Sequence, residues 1–168
     1  MNLFISTSSD KIYLKVFDNN ETKTELIHQG HNDHTQTLYG LIRDLDYDLD
    51  LITNIYVVNG PGSFTGLRVG VIFAKLLAQK NNSNIYPVNA LMLLTNMYNK
   101  QVALDARGGN YYILDENNEV ILTKEINEST LVDPLIDLSK LIDNDYLLSL
   151  TPVNYLELEI VYVKHPIS

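Results

Sequence analysis

The sequence predicts an α/β protein built on a mixed sheet. Three observations lead there: three β-patterned segments at the start, strand–helix alternation to about residue 100, and a glycine-rich junction between a short apolar strand and a long apolar helix. Residues 3–5 start a strand, and residues 6–10 are rich in turn formers. Ile12, Leu14 and Val16 then alternate with Tyr13, Lys15 and Phe17 in a second strand. After the Asp18-Asn19-Asn20 turn, residues 21–28 read as a third strand, which completes a meander. A helix follows, with Asp33 as its cap, Gln36 three positions on, and Leu38, Leu41, Ile42 and Leu45 at helical spacing.

Residues 55–58 form a short apolar strand of the buried type. Residues 69–80 read as a second helix, 85–88 as another strand and 90–98 as a third helix. Beyond residue 100 the pattern turns to short strands at 102–104, 111–114 and 120–122. A helix broken near Pro134 is expected within 131–142, and strands at 146–150 and 156–163. This suggests two units, 1–100 and a smaller 101–168.

Bulk composition narrows the function. With 168 residues the chain makes one compact domain or two small lobes sharing a core. The net charge of −9, with only 12 Lys and Arg, disfavours binding nucleic acid alone, because phosphate neutralisation needs clustered cations. Without cysteine there is no thiolate nucleophile, disulfide or zinc–thiolate site. No basic-then-apolar leader pattern opens the sequence, and no apolar run approaches ~20 residues, so a cytoplasmic protein is expected, with no membrane association.

The segment GPGSFTGLRVG, residues 60–70, holds four of the eight glycines. It does not satisfy the phosphate loop G-x-x-x-x-G-K-[ST], since Gly66 comes four residues after Gly62 and Leu67 follows it. Nor is it G-x-G-x-x-G, because Thr65 stands where the third glycine belongs. A tight strand-to-helix turn is the alternative, with Gly60 and Gly62 at positive φ and Ser63 capping the helix. Along that helix Gly66, Gly70, Ala74 and Ala78 recur every fourth residue. Val69, Phe73, Leu76 and Leu77, with Ile72, form a larger apolar arc, so apolar or small side chains cover roughly 260° of the circumference. A helix this apolar is either sandwiched within its own domain or covers a sheet with one face and a partner with the other.

GPGSFTGLRVG closely resembles the signature of the TsaB (YeaZ) family, bacterial proteins needed to make threonylcarbamoyladenosine beside the anticodon of certain tRNAs. Asp33-His34-Thr35-Gln36 resembles the family's segment opening its first helix. Asp105-Ala106-Arg107, with Tyr112, is similar to its D-A-R segment, and residues 160–164 to its closing pattern. The resemblance implies an actin-like (ASKHA, RNase H-like) two-lobed fold with a mixed sheet, flanking helices and a reduced second lobe. It also implies a non-catalytic scaffold that pairs with TsaD, is joined by the ATPase TsaE, reaches tRNA only through that complex, and could form a homodimer when isolated.

By the same resemblance, the partner interface falls on His34, Thr35, Leu38, Gly66, Gly70, Ala74 and Ala78. The family-motif loop comprises Gly60, Pro61, Gly62, Ser63, Phe64, Thr65 and Arg68, and the second-lobe motif Asp105, Arg107 and Tyr112. Two departures weaken any enzymatic role. Ser6 stands where the family has Asp in its first strand, removing a carboxylate that metal and phosphate chemistry would use. Asn110 replaces the Glu of D-A-R-x-x-E.

The competing readings are an actin-like ATPase or a metal-dependent hydrolase acting alone. His28, His31 and His34 have metal-like spacing, but no H-E-x-x-H pattern is present and the rings need not converge. G-P-G-S-F is not the nucleophile elbow G-x-S-x-G. The Asp44, Asp46, Asp48, Asp50 run lacks the glycine and glutamate of a calcium loop and reads as a solvated helix end. No cofactor, metal or catalytic residue is expected in the isolated chain.

Overall fold

The computed structural model describes residues 1–29 and 33–163. Strands β1 (Asn2–Ser6), β2 (Lys11–Asp18) and β3 (Glu21–Gln29) form the expected meander. Strands β4 (Asn54–Gly60) and β5 (Asn84–Asn89) add in parallel on the other side of β1, giving the order β3-β2-β1-β4-β5. Ile5 pairs with Leu14 on one side and Val57 on the other, so the first strand sits at the sheet's centre.

Period-2 alternation divides that sheet into two apolar faces. Leu3, Ile5, Leu14, Val16, Ile55 and Val57 face helices α1 (His34–Asp44) and α2 (Phe64–Asn81). Phe4, Tyr13, Phe17 and Val58 face the other way, onto α3 (Ala90–Tyr98) and the second lobe. That lobe is a four-stranded sheet of order β8-β7-β6-β9, made of β6 (Val102–Arg107), β7 (Asn110–Leu114), β8 (Val120–Thr123) and β9 (Leu131–Val132). The two-lobed α/β expectation, with a mixed sheet and a smaller second lobe, is met.

Four local expectations are corrected. α2 begins at Phe64 rather than residue 69, because Ser63 caps it inside the glycine segment. The 131–142 stretch is not a broken helix: it opens with β9 and carries a single 3-10 turn at Leu138–Lys140. Residues 146–150 are not a strand, because Asn144 accepts a hydrogen bond from Leu147 N (3.1 Å) and starts helix α4 (Asp145–Ser149). Residues 156–163 are irregular and run back along the first lobe.

Candidate functional site

The glycine segment is locked against the turn between β1 and β2. Ser63 N donates to the Ser8 carbonyl at 2.7 Å, and Thr7 Oγ1 donates to the Gly66 carbonyl at 2.7 Å. Ser63 Oγ accepts from Gly66 N at 3.3 Å, as its expected capping role requires. Gly60 has φ 142°, which a side chain would strain, and a Cβ there would meet the Val161 carbonyl oxygen at 2.7 Å. A Cβ at Gly70 would collide with Thr7 Oγ1, and one at Gly66 with the Thr7 carbonyl.

These contacts overturn the expected partner-facing stripe. Gly66, Gly70, Ala74 and Ala78 are buried and face inward, where small residues let α2 approach Thr7 and the sheet closely. Leu38 is buried in the same core. His34 is half-buried at the start of α1, with Nε2 2.9 Å from the Ser9 carbonyl oxygen, and only Thr35 of the seven interface residues is exposed. The apolar face turned to solvent is a different one: Ile72 is 57% exposed, Leu76 61% and Phe64 47% on α2, and Tyr39 70% on α1. Both helices cover the same side of the sheet and lie beside each other, so these side chains stand on the outer faces of one helix layer, with Thr65, Arg68 and Gln79 exposed among them.

The signal for this phase was in the sequence. Where a helix lies close to backbone, its glycines and alanines turn inward at the contact, beside inward leucines and valines such as Leu67, Val71 and Leu77. Tyr39 carried no sequence signal.

Between the two lobes, beside the β1–β2 turn and the start of α2, lies an open cleft of about 690 Å³. The structure brings the family-motif loop and the second-lobe motif together there: Gly62, Ser63, Phe64 and Thr65 line one wall, Asp105, Arg107 and Tyr112 another. Asp105 Oδ1 accepts from Arg107 N at 2.7 Å, and Asp133 Oδ1 from Asp105 N at 2.9 Å, so these carboxylates brace the hairpin. Asp10, Asp105 and Asp133 outnumber Lys11 and Arg107 in the lining, a poor balance for holding an anion. Burial pushes the Tyr13 hydroxyl up, with a hydrogen bond to the Ile136 backbone opposing.

His28 lies in β3 and His34 opens α1, while His31 lies outside the described residues. Of the acidic run, Asp48 caps a 3-10 turn at Leu49–Leu51 and Asp50 pairs with Lys80. Arg107 takes its place in the β6–β7 hairpin at φ 66°. Among the described residues no helix is long and apolar enough to cross a membrane.

Comparison with known proteins agrees with the motif. The model of the family "TsaD: tRNA N6-adenosine threonylcarbamoyltransferase" matches residues 25–159. The tRNA threonylcarbamoyladenosine biosynthesis protein TsaB of Bacillus subtilis is 39% identical over 57 residues, a segment covering 34% of this chain and a quarter of that relative. Two solved structures from Pseudomonas aeruginosa share the fold. One is YeaZ, at TM-score 0.74 and 19% identity over 96% of this chain and 99% of that one. The other is an uncharacterized protein with similarity to peptidase YEAZ, at TM-score 0.75 and 18% identity over 97% and 99%. The chain belongs to the tRNA N6-adenosine threonylcarbamoyltransferase (TsaD) family, and its likenesses within that family are to TsaB (YeaZ).

Proposed function

We propose that this chain is a non-catalytic scaffold in the formation of threonylcarbamoyladenosine on tRNA, docking the catalytic paralogue TsaD through the outer faces of α1 and α2, with TsaE joining the pair. The observation that carries the reading is the exposed run Phe64, Ile72 and Leu76 on α2 with Tyr39 on α1. Isolated exposed apolar residues are ordinary, whereas several on two adjacent helices mark a contact surface.

The closed loops support the non-catalytic part. The hydrogen bonds from Ser63 N to the Ser8 carbonyl and from Gly66 N to Ser63 Oγ use two of the backbone N–H groups at the start of α2, which a phosphate would otherwise contact. Ser6 is buried where a metal-organising carboxylate would stand. With a net charge of −9, contact with tRNA falls to the partners.

Size-exclusion chromatography of the chain mixed with its host's TsaD is expected to give a shared peak with one-to-one stoichiometry. Two independent peaks at micromolar concentration overturn the pairing. ATP hydrolysis or tRNA modification by the chain alone, lost on mutating one of its own residues, overturns the non-catalytic role.

A further inference from the structure

The exposed face of α2 starts at Phe64, and that residue is not alone. Residues 153–162 return from the second lobe along the first. Val153 N donates to the Ile85 carbonyl at 2.9 Å, and Leu158 is buried in the core under α1 and α2. At the end of β4 the buried Asn59 grips the segment twice. Its Nδ2 donates to the Glu159 carbonyl at 2.9 Å, and its backbone carbonyl accepts from Val161 N at 2.8 Å.

This grip delivers an aromatic ring to the start of α2. Tyr162 packs against Phe64 with ring centroids 5.3 Å apart and planes at 41°. The Arg68 guanidinium lies 3.9 Å from the Phe64 centroid on the next turn. Tyr162 remains 55% exposed, and Arg68 has no ion pair among the described residues. Tyr162, whose segment a buried asparagine holds, with Phe64 and Arg68 on the first turns of α2, makes a preorganised anchor of the residue types that dominate binding energy.

Charge identifies the kind of occupant. α2 carries Arg68 and Lys75, with Lys80 paired to Asp50, and no acidic residue, in a chain with 21 acids against 12 Lys and Arg. Two copies joined α2 to α2 would oppose like charges. A surface that is apolar with carboxylates beside it is the complement.

We propose that Tyr162, Phe64 and Arg68 form one end of the partner-binding face, and that they take an apolar, carboxylate-bearing surface of the catalytic paralogue. The proposal rests on the scaffold reading above, and deepens it by making residues 159–162 part of the interface. Arg68 supplies a desolvated cation for a partner carboxylate, and Tyr162 supplies rigid contact area.

The test is calorimetric titration of the full chain and of the Tyr162→Ala and Arg68→Glu variants with the host's TsaD, with a thermal melt of each. Both variants are expected to weaken binding at least tenfold with the melting midpoint unchanged within about 2 °C. Arg68→Lys keeps the charge but not the planar fork, and is expected to fall between. Affinities within twofold of the parent for both variants overturn this inference and leave the scaffold reading standing. If Arg68→Glu abolishes self-association and leaves TsaD binding untouched, the occupant is a second copy and the inference fails. If the parent itself does not bind TsaD, the scaffold reading and this inference fall together.

Discussion

Lys15 Nζ donates to the carbonyl oxygen of Leu138 at 2.7 Å, joining the central sheet to the second lobe across 123 positions of sequence. The side chain is 1% exposed, and its ammonium also reaches Glu25 Oε2 at 3.1 Å. A buried cation persists only with such partners, so the two lobes are held in register by a group that has nowhere else to go.

Replacing Lys15 with Met keeps the stem's volume and removes the bond to Leu138. The variant is expected to lose about 1–3 kcal/mol of stability, and to exchange amide hydrogens faster across residues 138–141. Glu25→Gln, at a half-exposed site, is expected to cost under about 1 kcal/mol. Urea unfolding and hydrogen exchange measure both; equal effects of the two variants would show that the Leu138 carbonyl is not the main partner.

Gly70→Ala and Ala74→Leu act inside the monomer. The first drives a methyl group into Thr7 Oγ1, and the second adds bulk at a residue with no exposure. Each is expected to cost roughly 1–3 kcal/mol, seen as a lowered melting midpoint. Unchanged midpoints would return the small-residue stripe to an outer surface.

Ile72→Asp and Leu76→Asp act on the outside. Stability is expected to stay within about 0.5 kcal/mol of the parent, because both side chains already face water. Binding to TsaD is expected to fall at least tenfold, about 1.4 kcal/mol, by titration calorimetry. Intact binding by both would move the interface off this face of α2.

Stability is expected to decline in alkali. Burial pushes the hydroxyls of Tyr13, Tyr56 and Tyr146 above their ordinary value, with the hydrogen bond from Asn89 N opposing the shift at Tyr146. The folded state therefore holds those protons more tightly. Its advantage is full below about pH 10 and shrinks as pH rises past that point. Urea unfolding from pH 8 to 11 is expected to show this decline, with a shallower slope in Tyr146→Phe. An equal slope in that variant would assign the effect to the other two tyrosines.

The meander, the alternation through α3 and both helix caps were legible in the sequence, because period and capping chemistry are local. Asp33 accepts from Gln36 N at 2.9 Å and Ser63 from Gly66 N, each as its position suggested. The second lobe was read less well. Leu147 and Leu138 look like parts of a strand and a helix respectively, but short apolar runs take whatever form lets them pack on Phe4, Phe17 and α3. The rotation of α2 was misread because hydrophobicity alone does not fix which face of a helix turns inward; the carbonyl and hydroxyl of Thr7, which exclude any side chain at Gly66 and Gly70, do.

The central position of β1 has a kinetic consequence. Its pairing with β2 is local, but its other edge waits for β4, some fifty residues later in the chain. Until then Leu3, Phe4 and Ile5 present an open, apolar strand edge with no charged residue to discourage a foreign strand. Closing that long-range pairing carries a larger loop-entropy cost than forming the helices, so folding is expected to be slower than for a helical bundle of this size. Fragments ending before residue 54 are expected to aggregate when expressed, while those that include β4 and β5 have the means to remain dispersed.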